Sequence, residues 1–209
     1  MSLHISEDDV ARLLTPADAV ATIEACFERM ARGAVENKPR YRLGLERGAM
    51  AVMAAADLEL GFAGAKVYVG FAAGARFEVL LFRANEPELV AVIDADKLGQ
   101  LRTGAASGVA AKHLARTGAA TLGVIGCGWQ AEMQVECIRA ALPSIERTIA
   151  YCRTREHRRG RSVADIFTDR YVTNRLTHDQ QARLLERPDL IHVLGEHDVA
   201  AAREVFRTP

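Results

Sequence analysis

Residues 121–154 read TLGVIGCGWQAEMQVECIRAALPSIERTIAYCRT, and the order of their parts decides the fold class. Apolar Leu122, Val124 and Ile125 run into Gly126-Cys127-Gly128, and Ala131 stands where a third small residue belongs. An apolar helical stretch follows and stops at Pro143, and a second apolar run covers Thr148 to Cys152. This is the G-x-G-x-x-A spacing of a dinucleotide-binding βαβ unit. Gly126 permits the tight turn, Gly128 lets the backbone approach a pyrophosphate, and Ala131 lets the helix pack close to the strand. The phosphates then meet unpaired N–H groups at the positive end of the helix. Trp129 and Gln130, which join Gly128 to Ala131, belong to the same cofactor-binding set. The competing reading is an ordinary strand-to-helix turn. The strands on both sides and the helix between them favour the cofactor.

The end of the second strand refines the cofactor. An NAD site usually carries Asp or Glu there, to accept hydrogen bonds from the ribose 2′-hydroxyl. Here the run ends in Cys152, Arg153 and Thr154, and Arg155, Arg158, Arg159 and Arg161 follow. A guanidinium can bind a 2′-phosphate bidentately and Thr154 can add a hydroxyl donor. NADP is therefore expected, with NAD possible and a solvated basic loop as the plain alternative.

Around this unit the chain reads as an enzyme-sized α/β protein. It has 209 residues, 49% of them hydrophobic, and 27 basic residues balance 27 acidic ones. Neutral charge argues against a nucleic-acid binder, and no apolar run approaches the ~20 residues of a membrane span. The acidic, amphipathic start MSLHISEDDVARLL is unlike a signal peptide. Cys26, Cys127, Cys137 and Cys152 form no C-x-x-C pair, which suits reduced thiols in a cytoplasmic protein. The sequence has no zinc-ligand spacing, and no metal is expected.

Upstream, Thr15-Pro16-Ala17-Asp18 reads as a helix start, with Ala19, Ile23, Phe27 and Met30 at helical spacing and Gly33 as the stop. From Arg40 to Ile93 the pattern changes to short strands: 41–45, 50–54, 65–69, 79–83 and 89–93, separated by turn residues. A mixed or antiparallel sheet is expected. Residues 101–114 are rich in alanine and other small residues, as in a helix packed closely against a neighbour. Two domains follow from this: 1–114 as a mixed α+β domain, and 115–209 as a Rossmann-type domain.

Five segments, in this order and approximate spacing, resemble the ornithine cyclodeaminase/mu-crystallin family. They are Asn37-Lys38-Pro39-Arg40, Met53 to Ala56, Gly61 to Lys66, Asp94 through Arg102-Thr103-Gly104-Ala105-Ala106-Ser107, and Thr121 to Thr154. The resemblance implies that 1–114 is a substrate-binding and dimerisation domain. It implies that Arg40, Lys66 and Arg102 hold a substrate carboxylate, with Arg42 a close competitor to Arg40. It implies that Thr103 joins the cofactor-binding set, and that Lys66 and a late acid, best matched by Asp198, move protons. Burial of Lys66 in an apolar strand would lower its pKa and suit that role. The plain alternatives are a solvated strand lysine, a surface arginine and an N-cap aspartate. The function implied is an NAD(P)-dependent oxidoreductase or cyclodeaminase acting on small amino or imino acids. It would be a ketimine reductase, an amino-acid dehydrogenase or an ornithine cyclodeaminase type, working as a homodimer. The second reading is a non-catalytic dinucleotide- or ligand-binding protein of mu-crystallin type. Between Arg161 and Leu190 the sequence departs from the family pattern, so the second domain is expected to be incomplete relative to the family.

Overall fold

The computed structural model describes residues 2–151, and it divides them into two units. The first holds residues 2–118 and 129–144; the second holds 119–128 and 145–151.

The first unit opens with β1 (Leu3–Ile5), α1 (Glu7–Leu13) and α2 (Pro16–Ala31). Thr15 caps α2 as its sequence foretells: its hydroxyl accepts from Asp18 N at 3.2 Å, and the Asp18 carboxylate reaches back to Thr15 N. Gly33, at φ +79°, ends the helical region in the left-handed conformation that favours glycine. Then come β2 (Val35–Asn37), β3 (Tyr41–Leu45), β4 (Gly48–Asp57), β5 (Phe62–Phe71), β6 (Gly74–Arg83), β7 (Leu89–Asp94) and α3 (Asp96–Leu114). The strands form one seven-stranded sheet of order β1-β7-β6-β5-β4-β2, with β3 also paired to β4. All pairs are antiparallel except β1 with β7, so the sheet is mixed, as expected. β4 and β5 pair along their whole length, Gly48 opposite Phe71 to Asp57 opposite Phe62.

Helix α3 begins at Asp96, five residues before the alanine-rich run. The reason is non-local. Ala95 offers no capping side chain, and the Glu7 carboxylate from α1 accepts from Asp96 N at 2.7 Å and Lys97 N at 2.8 Å. A cap supplied from 89 residues away leaves no local trace. Strands β1 and β2 were likewise illegible: three residues each, they acquire strand geometry by pairing with β7 and β4.

The core lies between helices. Val10, Val20, Leu101, Ala105 and Val109 pack with Met133 and Cys137 of α4 (Ala131–Ala141). Small residues on α3 make this possible. A Cβ at Gly104 would stand 2.2 Å from the Met133 carbonyl oxygen, and one at Gly108 2.7 Å from that of Cys137. Arg29 and Asp57 tie α2 to the end of β4 through an ion pair of 2.7 Å.

The second unit contains β8 (Thr121–Ile125) and β9 (Arg147–Tyr151), paired in parallel from Thr121 opposite Arg147 to Ile125 opposite Tyr151. Parallel neighbours need a crossover, and α4 lies between them in sequence, which gives the β-turn-α-β order expected from residues 121–154. The chain thus has an α/β fold with a Rossmann-type element following a mixed sheet.

Candidate functional site

Side-chain alternation along β5 puts Lys66 and Tyr68 on one face of the sheet. Their cross-strand partners share that face: Met53 of β4 stands opposite Lys66, and Phe77 of β6 opposite Tyr68. These four line a cavity of about 110 Å³ together with Arg40, Asp96, Gly99, Arg102 and Gln130. Arg40 comes from the segment before β3, Asp96, Gly99 and Arg102 from the first two turns of α3, and Gln130 from the residue before α4.

The three cations expected to hold a carboxylate therefore line one pocket. Arg42, the competitor to Arg40, pairs with Ala51 inside the sheet and is not part of the lining. The Lys66 ammonium donates to the Ala95 carbonyl at 3.5 Å and sits 4.8 Å from the Phe77 ring centroid. The Arg40 guanidinium lies 5.8 Å from the centroid of Tyr68, whose ring packs 5.1 Å from Phe77. Gly99 makes room for the lysine: a Cβ there would stand 2.6 Å from Nζ.

Charge is concentrated here without full compensation. Burial lowers the pKa of Lys66, and the Arg102 charge lowers it further, while Asp96 pulls the other way. Arg102 is lowered by burial first and by Arg40 next. Three cations crowded against aromatic walls favour an anion that accepts several charged hydrogen bonds at once, and a carboxylate has that form.

Other expected site residues are distributed as follows. Thr103 follows Arg102 on α3, and its hydroxyl donates to the Gly99 carbonyl at 2.7 Å. Trp129 is 57% exposed, and its carbonyl accepts from the buried Gln100 amide. Ala131 is buried. Gly126 has φ +96°, a conformation that favours glycine, while a Cβ at Gly128 would meet nothing within 4 Å among the described residues. Among the described residues, glycine at 128 thus relieves no crowding. Gln130 provides no side-chain cap for α4, so the first N–H groups of that helix keep their donors. Open space at Gly128 is what the close approach of a dinucleotide phosphate requires. Cys127, between the glycines, is disulfide-bonded, so of the thiols expected to be reduced Cys26 and Cys137 are the free ones among the described residues. Arg153, Thr154 and Asp198 lie outside the described residues.

Sequence reasoning did not single out Tyr68, Phe77, Asp96, Gly99 or Gln100, nor Met53 as a pocket residue. Tyr68 was within reach, two residues from Lys66 on a strand. Met53 and Phe77 need the cross-strand register, and Asp96 and Gly99 need the true start of α3.

Fold and pocket define an α/β protein in which a cation-lined pocket precedes, in sequence, a glycine-turn βαβ unit. The chain belongs to the ornithine cyclodeaminase/mu-crystallin family, whose sequence pattern matches residues 3–172. It is 34% identical over 145 residues to an alanine dehydrogenase of Archaeoglobus fulgidus, covering 66% of this chain and 44% of that protein. It is 33% identical over 148 residues to an iminosuccinate reductase of Paracoccus denitrificans, covering 64% of this chain and 44% of the relative. The solved structure of an archaeal alanine dehydrogenase dimer with bound NAD superimposes with a TM-score of 0.76 at 26% identity, over 86% of this chain and 57% of that one. The chain spans less than half the length of these two curated relatives.

Proposed function

We propose that this protein is a nicotinamide-dinucleotide-dependent enzyme acting on a small α-amino or α-imino acid. The observation that carries the reading is the convergence of Arg40, Lys66 and Arg102 on one small pocket. An alanine dehydrogenase and an iminosuccinate reductase among its relatives support it, since both names describe redox chemistry of a small amino or imino acid. The functional division would then fall at 114/115, with the carboxylate pocket upstream and the dinucleotide turn downstream.

In this mechanism Arg40 and Arg102 anchor the carboxylate, and Lys66 bonds it from the sheet side. Charged hydrogen bonds from three directions fix the carbon next to the carboxylate, which removes orientational freedom before reaction. A bound nicotinamide would supply or accept a hydride at that carbon. Tyr68 and Phe77 keep one wall apolar and exclude water. Lys66, its pKa lowered by burial and by Arg102, is suited to hand a proton to or from the substrate nitrogen. Asp198 is the candidate for the second proton-transfer group. Gly126 and Gly128 would take the pyrophosphate, and Thr103, Trp129, Gln130 and Ala131 complete the proposed cofactor-binding set. Arg153 and Thr154 favour NADPH over NADH.

The proposed assembly is a homodimer. Tyr41, Leu43 and Leu45 alternate along β3 on one face and stay exposed in the single chain, and the archaeal relative is a dimer. The test is direct. Oxidation of NADPH and NADH is followed with pyrroline-2-carboxylate, piperideine-2-carboxylate, and pyruvate with ammonia. Turnover with at least one of them, faster with NADPH, is expected. Dinucleotide binding without turnover on any amino or imino acid would favour the mu-crystallin-type binding protein instead.

A further inference from the structure

Gln100 is a polar side chain with no solvent exposure, in the stretch of α3 that also carries Gly99 and Arg102. A buried carboxamide is costly unless both its ends are bonded. Here both are. Its amide nitrogen donates to the main-chain carbonyl of Trp129, and its oxygen accepts from the Lys97 ammonium at 3.3 Å. Trp129 is the residue that follows Gly128, and its neighbour Gln130 lines the pocket. One turn of α3 therefore serves two purposes. Gly99 and Arg102 line the pocket, and Gln100 reaches the segment joining the glycine turn to α4. The Gln130 side chain does not cap α4, and the Gln100 amide is a side-chain restraint on the segment that leads into it.

We propose that Gln100 is a positioning residue: its buried carboxamide fixes the Trp129–Gln130 segment to α3 and so holds the end of the dinucleotide turn in binding geometry. The inference rests on the proposed dinucleotide-dependent function. It predicts that loss of the amide donor loosens that segment and weakens dinucleotide binding while leaving the helix core folded. Met and Glu both match the length of Gln. Gln100→Met removes the donor and the acceptor; Gln100→Glu removes the donor and keeps a partner for Lys97.

Trp129 is the single tryptophan of the chain, so its fluorescence reads the segment directly. Acrylamide quenching of the dinucleotide-free protein is compared across wild type, Gln100→Met, Gln100→Glu and Arg12→Ala, followed by titration with NADH and NADPH. Both Gln100 variants should quench about twofold more readily and bind dinucleotide roughly tenfold more weakly, the scale of one lost hydrogen bond. Arg12→Ala, which alters only an exposed ion pair on α1, should match wild type in both measurements. If Gln100→Met does not fold, Gln100→Glu gives the same reading with the Lys97 partner kept. Quenching equal to wild type in a folded Gln100 variant overturns the proposal, as does undiminished dinucleotide affinity, even if thermal stability falls. Wild type that binds neither NADH nor NADPH would sink the proposed function instead, and the quenching comparison would still decide on Gln100.

Discussion

The glycines of α3 and the glycines of the 126–128 turn do opposite work. At Gly104 and Gly108 the missing Cβ is replaced by the backbone of α4, at 2.2 Å and 2.7 Å from where the carbon would be. At Gly128 the corresponding space is open among the described residues. The first pair is explained by the protein's own packing, because the two helices cannot approach so closely with side chains between them. Gly128 is not explained that way by the described residues, and the proposed dinucleotide, which needs the backbone bare, would account for it. The difference teaches that a glycine's purpose is read from what would occupy the place of its side chain.

Three substitutions break or sharpen this contrast. The largest effect is expected at Gly104. Gly104→Val drives a branched side chain into the Met133 carbonyl, which is backbone and cannot swing away. Stability should fall by about 3 kcal/mol or more, read as a lower denaturant midpoint. A variant as stable as wild type would mean that α3 and α4 do not meet as described.

Next is Lys66→Met, which keeps the aliphatic stem and deletes the charge. Strand packing should survive, and the thermal midpoint should not drop, since a half-buried ammonium has been removed. The value of kcat/KM with a cyclic imino acid should fall at least about a hundredfold, or roughly 2.7 kcal/mol of transition-state stabilisation. The pH dependence sharpens the point. The charged lysine binds the carboxylate, so affinity should fall as pH rises through the Lys66 pKa. Because burial and Arg102 lower that pKa, the falling limb lies below the ordinary lysine value of ~10.4 in the free protein and vanishes in Lys66→Met.

Gly99 offers an intermediate case. The atom its Cβ would meet is the tip of a flexible side chain, Lys66 Nζ at 2.6 Å, and not backbone. Gly99→Ala should therefore leave the fold nearly untouched and push the ammonium off its place. Carboxylate affinity should weaken about tenfold, or ~1.4 kcal/mol. A large loss of stability with unchanged affinity would put Gly99 with Gly104 as a packing glycine.

What the sequence revealed follows the same division between local and distant causes. The βαβ order, the Thr15 cap with Asp18, the five principal strands and the crowded character of 101–114 all rest on neighbours in sequence, and all were legible. The start of α3 was not, because Glu7 caps it from another helix. The strands β1 and β2 were not, because each exists through its partner. In the pocket, Arg40, Lys66 and Arg102 were reached through resemblance, whereas Met53, Phe77, Asp96 and Gly99 depend on register and on where α3 begins. Gln100 could be read only from its burial, since a glutamine in a helix is ordinarily a solvated one.

The most direct test of the account is to titrate wild type and Gly128→Ala with NADH and NADPH through Trp129 fluorescence, with thermal midpoints taken alongside. An added methyl group in space that is open among the described residues should leave the midpoint unchanged to within about 0.5 kcal/mol of stability. It should weaken dinucleotide binding at least about tenfold, because the phosphate can no longer reach the bare backbone. Equal affinity in the two proteins, or no dinucleotide binding by wild type, would contradict the account.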